Sequence, residues 1–364
     1  PSAGARERAV ARFQARWGIA PSHLIRSPGR VNLIGEHTDY HEGYVLPVAL
    51  EQATWLAIRA RDDEKVHLEV EGQDGELDLN LQKFSKGEPS WREQVKGVAW
   101  ALRTGGAAVR GWQGCAATDL PEGAGLGSTA SFAVALVRAF GVVTGGDWHA
   151  IAAAQVAQRA EREWSGLPSR IMDHLAVASG QEGFATLIDC RTLEMRPVPL
   201  PSAFTLFVLD ARVPRGPAGY TTQQRQLECA QVLQKLGVPA LRDVSISTFA
   251  VRGLEFNALS RRRARHVVTE NERVLQAARS LSRGDGEGLG ILINMSHNSL
   301  RDDYDVTSPG QDLVAQAARS INGCAGARMT GVGSGGCVLA VVANWAVAAF
   351  QGQIGPLVRQ HLGH

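Results

Sequence analysis

The chain has 364 residues, 44% of them apolar and 20% charged, with a formal net charge of +2. These proportions are ordinary for a globular protein and long enough for about two domains. The near-balance of charge, with no long like-charge block, excludes a general nucleic-acid or membrane-surface binder.

The elements follow in chain order. Residues 5–17 place apolar side chains at helical spacing among arginines, which predicts an amphipathic helix. SPGRVNLIGEHTDY, residues 27–40, reads as a strand entering the core, yet it carries Arg30, Glu36, His37 and Asp39. Two readings stand: a solvated strand end, or side chains that line a pocket and grip something polar. ATWLAIRA (53–60) and VHLEVEG (66–72) alternate like half-buried strands. WREQVKGVAWAL (91–102) reads as a helix, and GWQGCAATDL (111–120) as a strand ending at Pro121. After the glycine-rich PEGAGLGSTAS (121–131) come strong helix formers with an apolar face in ASFAVALVRAF (130–140). Residues 148–164 read as another helix, and GFATLIDC (183–190) and FTLFVLDARV (204–213) as strands. PVPLP (197–201) is the best candidate for a boundary between domains at 1–200 and 201–364. Helices then dominate until GARMTGVGSGGCVLAVV (326–342), a strand, a glycine loop and a strand. Strands and helices without strict alternation predict an α+β fold.

The cysteines at 115, 190, 229, 324 and 337 are scattered and form no CxxC pair, which fits free thiols in a reducing compartment. No apolar stretch reaches membrane-spanning length, and the first residues hold no apolar signal core. A cytoplasmic protein is expected, with no membrane partner, and a monomer is the starting expectation.

The loop at 121–131 lies between a strand and a helix, where backbone N–H groups converge on an anion. Gly123, Gly125 and Gly127 permit positive φ and close approach. Ser128 and Thr129 add hydroxyls for a phosphate or a metal ion. The pattern GxxxxGK[ST] is absent, so this is not the standard P-loop. Taken alone the loop is equally a flexible turn. A second glycine-rich loop, TGVGSGG (330–336), favours a nucleoside triphosphate wrapped by backbone amides.

In QRAEREWSGLPSRIMDHLAVASG (158–180), Glu161 and Asp173 flank a turn at 166–168. Asp173 sits in an apolar helical run, where an unpaired carboxylate is costly. It is either half of a structural ion pair, for which Arg30 is a candidate, or a carboxylate placed beside a substrate hydroxyl. Glu161 reads alone as a solvated helix charge. Next to a phosphate loop, Thr129 and Glu161 make a set for Mg²⁺, an ion that takes few protein oxygens and keeps several waters.

These stretches together resemble the galactokinases of the GHMP kinase superfamily. GRVNLIGEHTDY is similar to the galactokinase signature, PEGAGLGSTAS to the superfamily's phosphate loop, and ARMTGVGSGGC to its third motif. RRRARHVVTENERV (261–274) and SHNSLRDDYDVTSPGQDLV (296–314) also resemble galactokinase segments. The resemblance implies a two-domain α+β GHMP kinase fold with the active site in the cleft between domains. It implies transfer of the γ-phosphoryl of ATP to the anomeric hydroxyl of galactose. By motif, Arg30 and Asp173 would be catalytic, and Glu36, His37, Asp39 and Tyr220 would hold sugar hydroxyls. Gly123, Ala124, Gly125, Leu126, Gly127, Ser128 and Thr129 would bind ATP, with Thr129 and Glu161 at the Mg²⁺ positions.

The chain departs from the family pattern in places. Galactokinases usually read CGIMDQ where this chain has SRIMDH, so Arg170 replaces a glycine and His174 a glutamine. Arg170 either turns outward or adds positive charge to the sugar pocket and selects a different, even acidic, sugar. His41 and Glu42 stand where asparagine and glycine are common, and GLGST resembles the mevalonate kinase loop. A kinase for another sugar, a mevalonate-type kinase and a non-catalytic sugar-binding regulator are the competing readings.

Overall fold

The computed structural model of the chain describes residues 3–121, 123–211, 213, 218–331, 333 and 336–362, with backbone alone at 218–221 and 360–362. Its contacts separate two compact units. The first is Pro1–Arg30, Ala49–Glu122 and Leu126–Gly180; the second is Val31–Val48, Gly123–Gly125 and Gln181–His364. The expected boundary at 200/201 lies inside the second unit by this measure.

The first unit begins with helix α1 (Ala5–Trp17), followed by strands β1 (His23–Ile34), β2 (Tyr44–Ala60), β3 (Lys65–Val70) and β4 (Glu76–Asn80). Helix α2 (Trp91–Thr104), strand β5 (Trp112–Thr118) and helices α3 (Ser128–Thr144), α4 (Ala150–Arg159) and α5 (Ile171–Ser179) complete it. The strand order here is β4-β3-β5-β2, with β1 on β2; β4–β3 and β5–β2 are antiparallel and β3–β5 is parallel.

Both faces of this sheet are covered. Leu56, Ile58, Trp112 and Ala116 point into a core shared with α2, α3 and α4. Ala57, Cys115 and Ala117 alternate to the other face and meet Ala5, Ala9 and Phe13, four residues apart on one stripe of α1. Residues 53–58 of β2 are thus buried on both faces except for the partly buried Trp55, rather than half-buried as the alternation suggests. The reason is α1, which supplies a second apolar lid.

The helix expected at 148–164 is α-helical only to Arg159. From Ala160 to Trp164 the ladder widens to a π-turn, closed by Ser165 N on Ala160 O at 3.1 Å. Such bulges re-aim side chains and recur at functional sites; here Glu161 is buried while Glu163 stays exposed.

The second unit contains β6 (Phe184–Asp189), β7 (Met195–Pro199), β8 (Phe204–Asp210), α6 (Ala218–Leu236), α7 (Ile246–Arg252) and α8 (Ala258–Ser282). It ends with α9 (Gly286–Ser299), α10 (Pro309–Ser320), β9 (Cys324–Met329), β10 (Cys337–Ala343) and α11 (Val347–Leu362). Tyr44, Val45 and Val48 of β2 pair with β6, and β6 pairs with β7. β8, β10 and β9 form an antiparallel three-stranded sheet. The β10 residues Val338, Ala340 and Val342 pack with α10 residues Val314 and Ala318 and with Phe350 of α11.

PVPLP, expected as a linker, instead supplies the end of β7. Its prolines fit because β7 is the last strand in its order, so the missing N–H groups remove no ladder bond.

Candidate active site

The glycine loop runs from Thr118 at the end of β5 to Ser128 at the start of α3. Gly123, Gly125 and Gly127 take φ values of 71°, 76° and 81°, a region that glycine enters without steric cost. Glu122 lies outside the described residues. Leu126 O accepts from Arg30 N at 2.8 Å. A Cβ at Gly127 would stand 3.2 Å from Arg30 Cγ, so the end of the loop packs against Arg30. The first turn of α3 has no acidic residue and no side-chain cap, which leaves its leading N–H groups for an anion. Ser131, fully buried, donates to Ser27 O at 2.7 Å and fixes that turn to β1 just ahead of Arg30. Ser128 and Thr129 border a cavity of about 200 Å³ walled by Val70, Trp91, Ala116, Leu120 and Phe132. Trp91, Leu120 and Phe132 give it apolar surface beside the Ser128 and Thr129 side chains, a lining that suits an aromatic base.

Asp173 lies in the first turn of α5. Arg30 Nε donates to Asp173 Oδ1 at 2.7 Å, with the two side chains 10% and 20% exposed. Burial alone would raise the Asp173 pKa, but the charges of Arg30 and then Arg170, with the Arg30 hydrogen bond and His174, outweigh it. The carboxyl is held well below the usual range and is ionised. Arg170 is half-buried at the N-cap of α5, and its charge reaches Asp173. It adds positive charge here rather than pointing away into solvent.

His174 turns from Asp173 toward Glu161. Its Nδ1 meets Arg170 O at 3.1 Å, and its Nε2 is 3.1 Å from Glu161 Oε2, a charge contact off hydrogen-bond alignment. Burial works to lower the His174 pKa, but Glu161 and Asp173 raise it on balance. Glu161 Oε1 is buried with no hydrogen-bond partner among the described residues, the kind of oxygen a hard cation satisfies. Among the described residues no three His, Cys, Asp or Glu side chains form a metal cage. A nucleotide-bound Mg²⁺ needs none, since it takes one or two carboxylates alongside phosphate and water.

In the second unit, the residues after β1 are not a solvated strand end. Glu36 is 3% exposed, His37 0% and Asp39 8%. Thr38 staples the segment: its Oγ1 lies 2.8 Å from Gly35 O and 2.7 Å from Tyr44 O, and its own carbonyl accepts from Gly43 N. His37 adopts φ 62°, a strained backbone for a non-glycine residue. Its Nδ1 is 2.6 Å from Tyr40 Oη, and its ring packs on Tyr304. His41 Nε2 reaches Tyr304 Oη at 3.2 Å, and burial, then the charge of His266, lowers its pKa to about 3. The departure Asn-to-His at 41 is therefore a neutral core contact, and Glu42 pairs with Arg191 at 2.7 Å on the surface.

Glu36, expected at the sugar, is tied into the protein through both carboxylate oxygens. Oε1 accepts from Thr330 Oγ1 at 3.0 Å and Gly331 N at 2.9 Å. Oε2 accepts from Asn32 Nδ2 at 2.7 Å and pairs with Arg328. Thr330 Oγ1 shares its one proton with Asn32 O at 3.1 Å, so the carboxylate is bonded on both oxygens without being filled, and Glu36 braces the second glycine loop. Tyr220 lies in α6 by its backbone, and its side chain falls outside the described residues.

The structure thus brings Arg30, Asp173, Arg170 and the end of the phosphate loop together in one unit, with Glu161 and His174 behind them. It groups Glu36, His37 and Asp39 in the other. Ser131, Thr38, Tyr304 and Arg328 escaped the sequence reading. Thr38 was visible inside GEHTDY, whereas Tyr304 and Arg328 are distant in sequence and gave no local signal.

Three family models match the chain: the galactokinase galactose-binding signature over residues 11–60, the GHMP kinases N terminal domain over 93–181 and the GHMP kinases C terminal over 277–349. A galactokinase of Roseiflexus sp. (strain RS-1) is 41% identical over 93% of this chain and 88% of its own length. The crystal structure of Lactococcus lactis galactokinase complexed with galactose superposes with a TM-score of 0.88 at 31% identity, covering 98% of this chain and 94% of that one. Methanococcus jannaschii mevalonate kinase shares the fold, with a TM-score of 0.68 at 17% identity over 92% of this chain and 95% of its own. An α+β chain of two compact units with these matches along nearly its whole length belongs to the galactokinase family of GHMP kinases.

Proposed function

We propose that this protein transfers the γ-phosphoryl of ATP to the anomeric hydroxyl of galactose, giving galactose 1-phosphate and ADP. One observation carries the reading: an ionised Asp173 is bonded to Arg30 at 2.7 Å, and Arg30 in turn lies against the glycine loop. Phosphoryl transfer asks a protein for positioning and charge neutralisation more than for covalent chemistry. Asp173 accepts the hydrogen bond of the attacking hydroxyl and orients its lone pair. A carboxylate with so low a pKa is a weak base, so it takes the proton late, as the new P–O bond forms. Arg30 has two tasks, keeping Asp173 ionised and setting its positive charge beside the transferring phosphoryl oxygens.

The open first turn of α3 with Gly123–Thr129 receives the phosphates, and the apolar cavity beside Ser128 takes the base. His37, Asp39, Arg170 and Tyr220 serve the sugar hydroxyls, with Glu36 holding the segment in shape. Thr129 and Glu161 would hold Mg²⁺, which supplies charge neutralisation on the phosphates; the unsatisfied Glu161 Oε1 supports this. We take residues 1–200 and 201–364 as the two kinase domains, a reading supported by matches at 93–181 and 277–349 on either side. The free cysteines support a reducing, cytoplasmic setting.

The test is a coupled ADP assay over a panel of hexoses, N-acetylhexosamines and uronic acids. Galactose should give stoichiometric ADP and a 1-phosphate product. Turnover of another sugar with none on galactose overturns the substrate. Galactose binding without any ATP consumption overturns the reaction.

A further inference from the structure

The segment RRRARHVVTENERV lies within α8, and none of the residues assigned above comes from it. His266, Glu270, Asn271 and Val274 share one face of that helix at helical spacing. Each meets the backbone of residues 35–44. Glu270 Oε1 accepts from Gly35 N at 3.0 Å, and Asn271 Oδ1 accepts from Tyr44 N at 2.9 Å. His266 Nε2 is 3.1 Å from Glu36 O. A carbonyl only accepts, so Nε2 carries a proton, and Nδ1 lies 2.9 Å from Ser299 Oγ, which also reaches Asp303 Oδ2 at 3.3 Å.

The approach is too close for side chains on the loop. A Cβ at Gly35 would stand 2.9 Å from Val274 Cγ2, and one at Gly43 would stand 2.5 Å from Asn271 Oδ1. The glycines at both ends of the loop are where the helix touches it.

Glu270 is also wired to Glu36. It accepts from Arg273 Nε at 2.7 Å and Ser296 Oγ at 2.6 Å. Arg328 Nη1 donates to Ser296 Oγ at 3.2 Å, while its Nη2 meets Asn32 O and the Glu36 carboxylate. Two carboxylates and two guanidiniums, all at most 8% exposed, balance one another beneath the loop. Burial favours the neutral acid at Glu270, but the charges of Arg273 and Arg328, with the Ser296 hydrogen bond, prevail and lower its pKa to about 2. A buried circuit of this kind is costly to leave half-made, which makes it rigid.

We propose that α8 is the seat of the sugar-binding loop, with Glu270 and Asn271 as positioning residues that clamp its two ends. This rests on the reading that residues 35–44 hold the sugar. Such residues act on affinity by preorganisation, because a loop already in its bound shape loses less freedom on binding.

The test uses the full chain carrying Asn271→Ala, Asn271→Asp or Glu270→Gln. Asn271→Ala removes the acceptor of Tyr44 N, and Asn271→Asp restores it. Hydrogen exchange by mass spectrometry is read on 35–44 without ligand, and KM for galactose and for ATP are measured in parallel. For Asn271→Ala, exchange across 35–44 and KM for the sugar should each rise about tenfold, with KM for ATP within about twofold. Asn271→Asp gives up the Nδ2 bond to Val267 O at 2.8 Å and should return both only part of the way toward wild type, and Glu270→Gln, where it folds, should act on the Gly35 end. A folded Asn271→Ala with wild-type exchange at 35–44 overturns the seat, as does an equal rise in both KM values. A wild type that phosphorylates no sugar overturns the sugar reading instead, and the exchange data then decide the seat alone.

Discussion

Arg30 Nε lies 2.7 Å from Asp173 Oδ1, joining a residue of β1 to the first turn of α5. The pair is the ion pair that the sequence offered for Asp173; the other reading, a carboxylate beside a substrate hydroxyl, is the role proposed for it. The roles are separable by mutation. Asp173→Ala should retain ATP affinity within about twofold and lose on the order of a hundredfold or more in kcat. Isothermal titration with a non-hydrolysable ATP analogue and steady-state kinetics read the two quantities. Near wild-type turnover would reduce the pair to a structural one.

Arg170 gives a pH prediction. Asp173 must be ionised to orient the hydroxyl, so activity falls as pH drops through its folded pKa. Arg30 and Arg170 both push that pKa down, so the loss in the wild type lies below the ordinary carboxylate range. Removing one cation raises the pKa, and the acid limb of kcat/KM should move to higher pH in Arg170→Gly. Arg170→Lys keeps the charge and should leave the limb near its wild-type place. Superimposable limbs for all three proteins would show that Arg170 does not act through Asp173.

Glu161 is the assigned carboxylate for Mg²⁺, and its unsatisfied Oε1 is the reason. Glu161→Gln keeps the shape and removes the charge. Mn²⁺ bound in the presence of ADP, followed by electron paramagnetic resonance, should weaken by about tenfold to a hundredfold. Metal affinity equal to wild type would leave Glu161 as a partner of His174 alone.

Much of this architecture was legible locally. The apolar face of α3, the glycines before it and the stripe on α1 are patterns within a few residues. The misreadings have physical causes. Pro197 and Pro199 look like a linker, yet an edge strand tolerates them. The π-turn at Ala160–Trp164 leaves no trace in periodicity, so Glu161 taken alone read as a solvated charge, and only its place beside the phosphate loop made it a Mg²⁺ candidate. The bracing of Glu36 was hidden because its partners are Asn32, Arg328, Thr330 and Gly331, three of them almost three hundred positions away. The seat under Gly35 escaped for the same reason, since Glu270 is 235 positions downstream. Local chemistry names the loop; only the tertiary contacts name what holds it.

The outer end of that loop supplies a stability prediction. Asp189, at the end of β6, accepts from Arg242 at 2.6 and 2.8 Å and from Arg191 N at 2.9 Å. Arg242 also donates to Glu42 O at 2.7 Å and lies over the Tyr44 ring at 4.0 Å. Burial works to raise the Asp189 pKa, but the Arg242 bonds and the two backbone donors lower it on balance. A carboxylate with a depressed folded pKa stabilises the fold above its unfolded value, roughly pH 3.9, and that contribution drains away as pH falls through the folded pKa. Asp189→Asn should therefore cost about 1.5–3 kcal/mol at pH 7, the range for hydrogen bonds to a charged group. The deficit should shrink as pH falls below about 4, where the wild type becomes protonated as well. Thermal melts of both proteins at pH 7, 5, 4 and 3 check this. A Tm gap that stays constant down to pH 3 would mean that the charge of Asp189 contributes nothing and that its hydrogen-bonding shape alone matters.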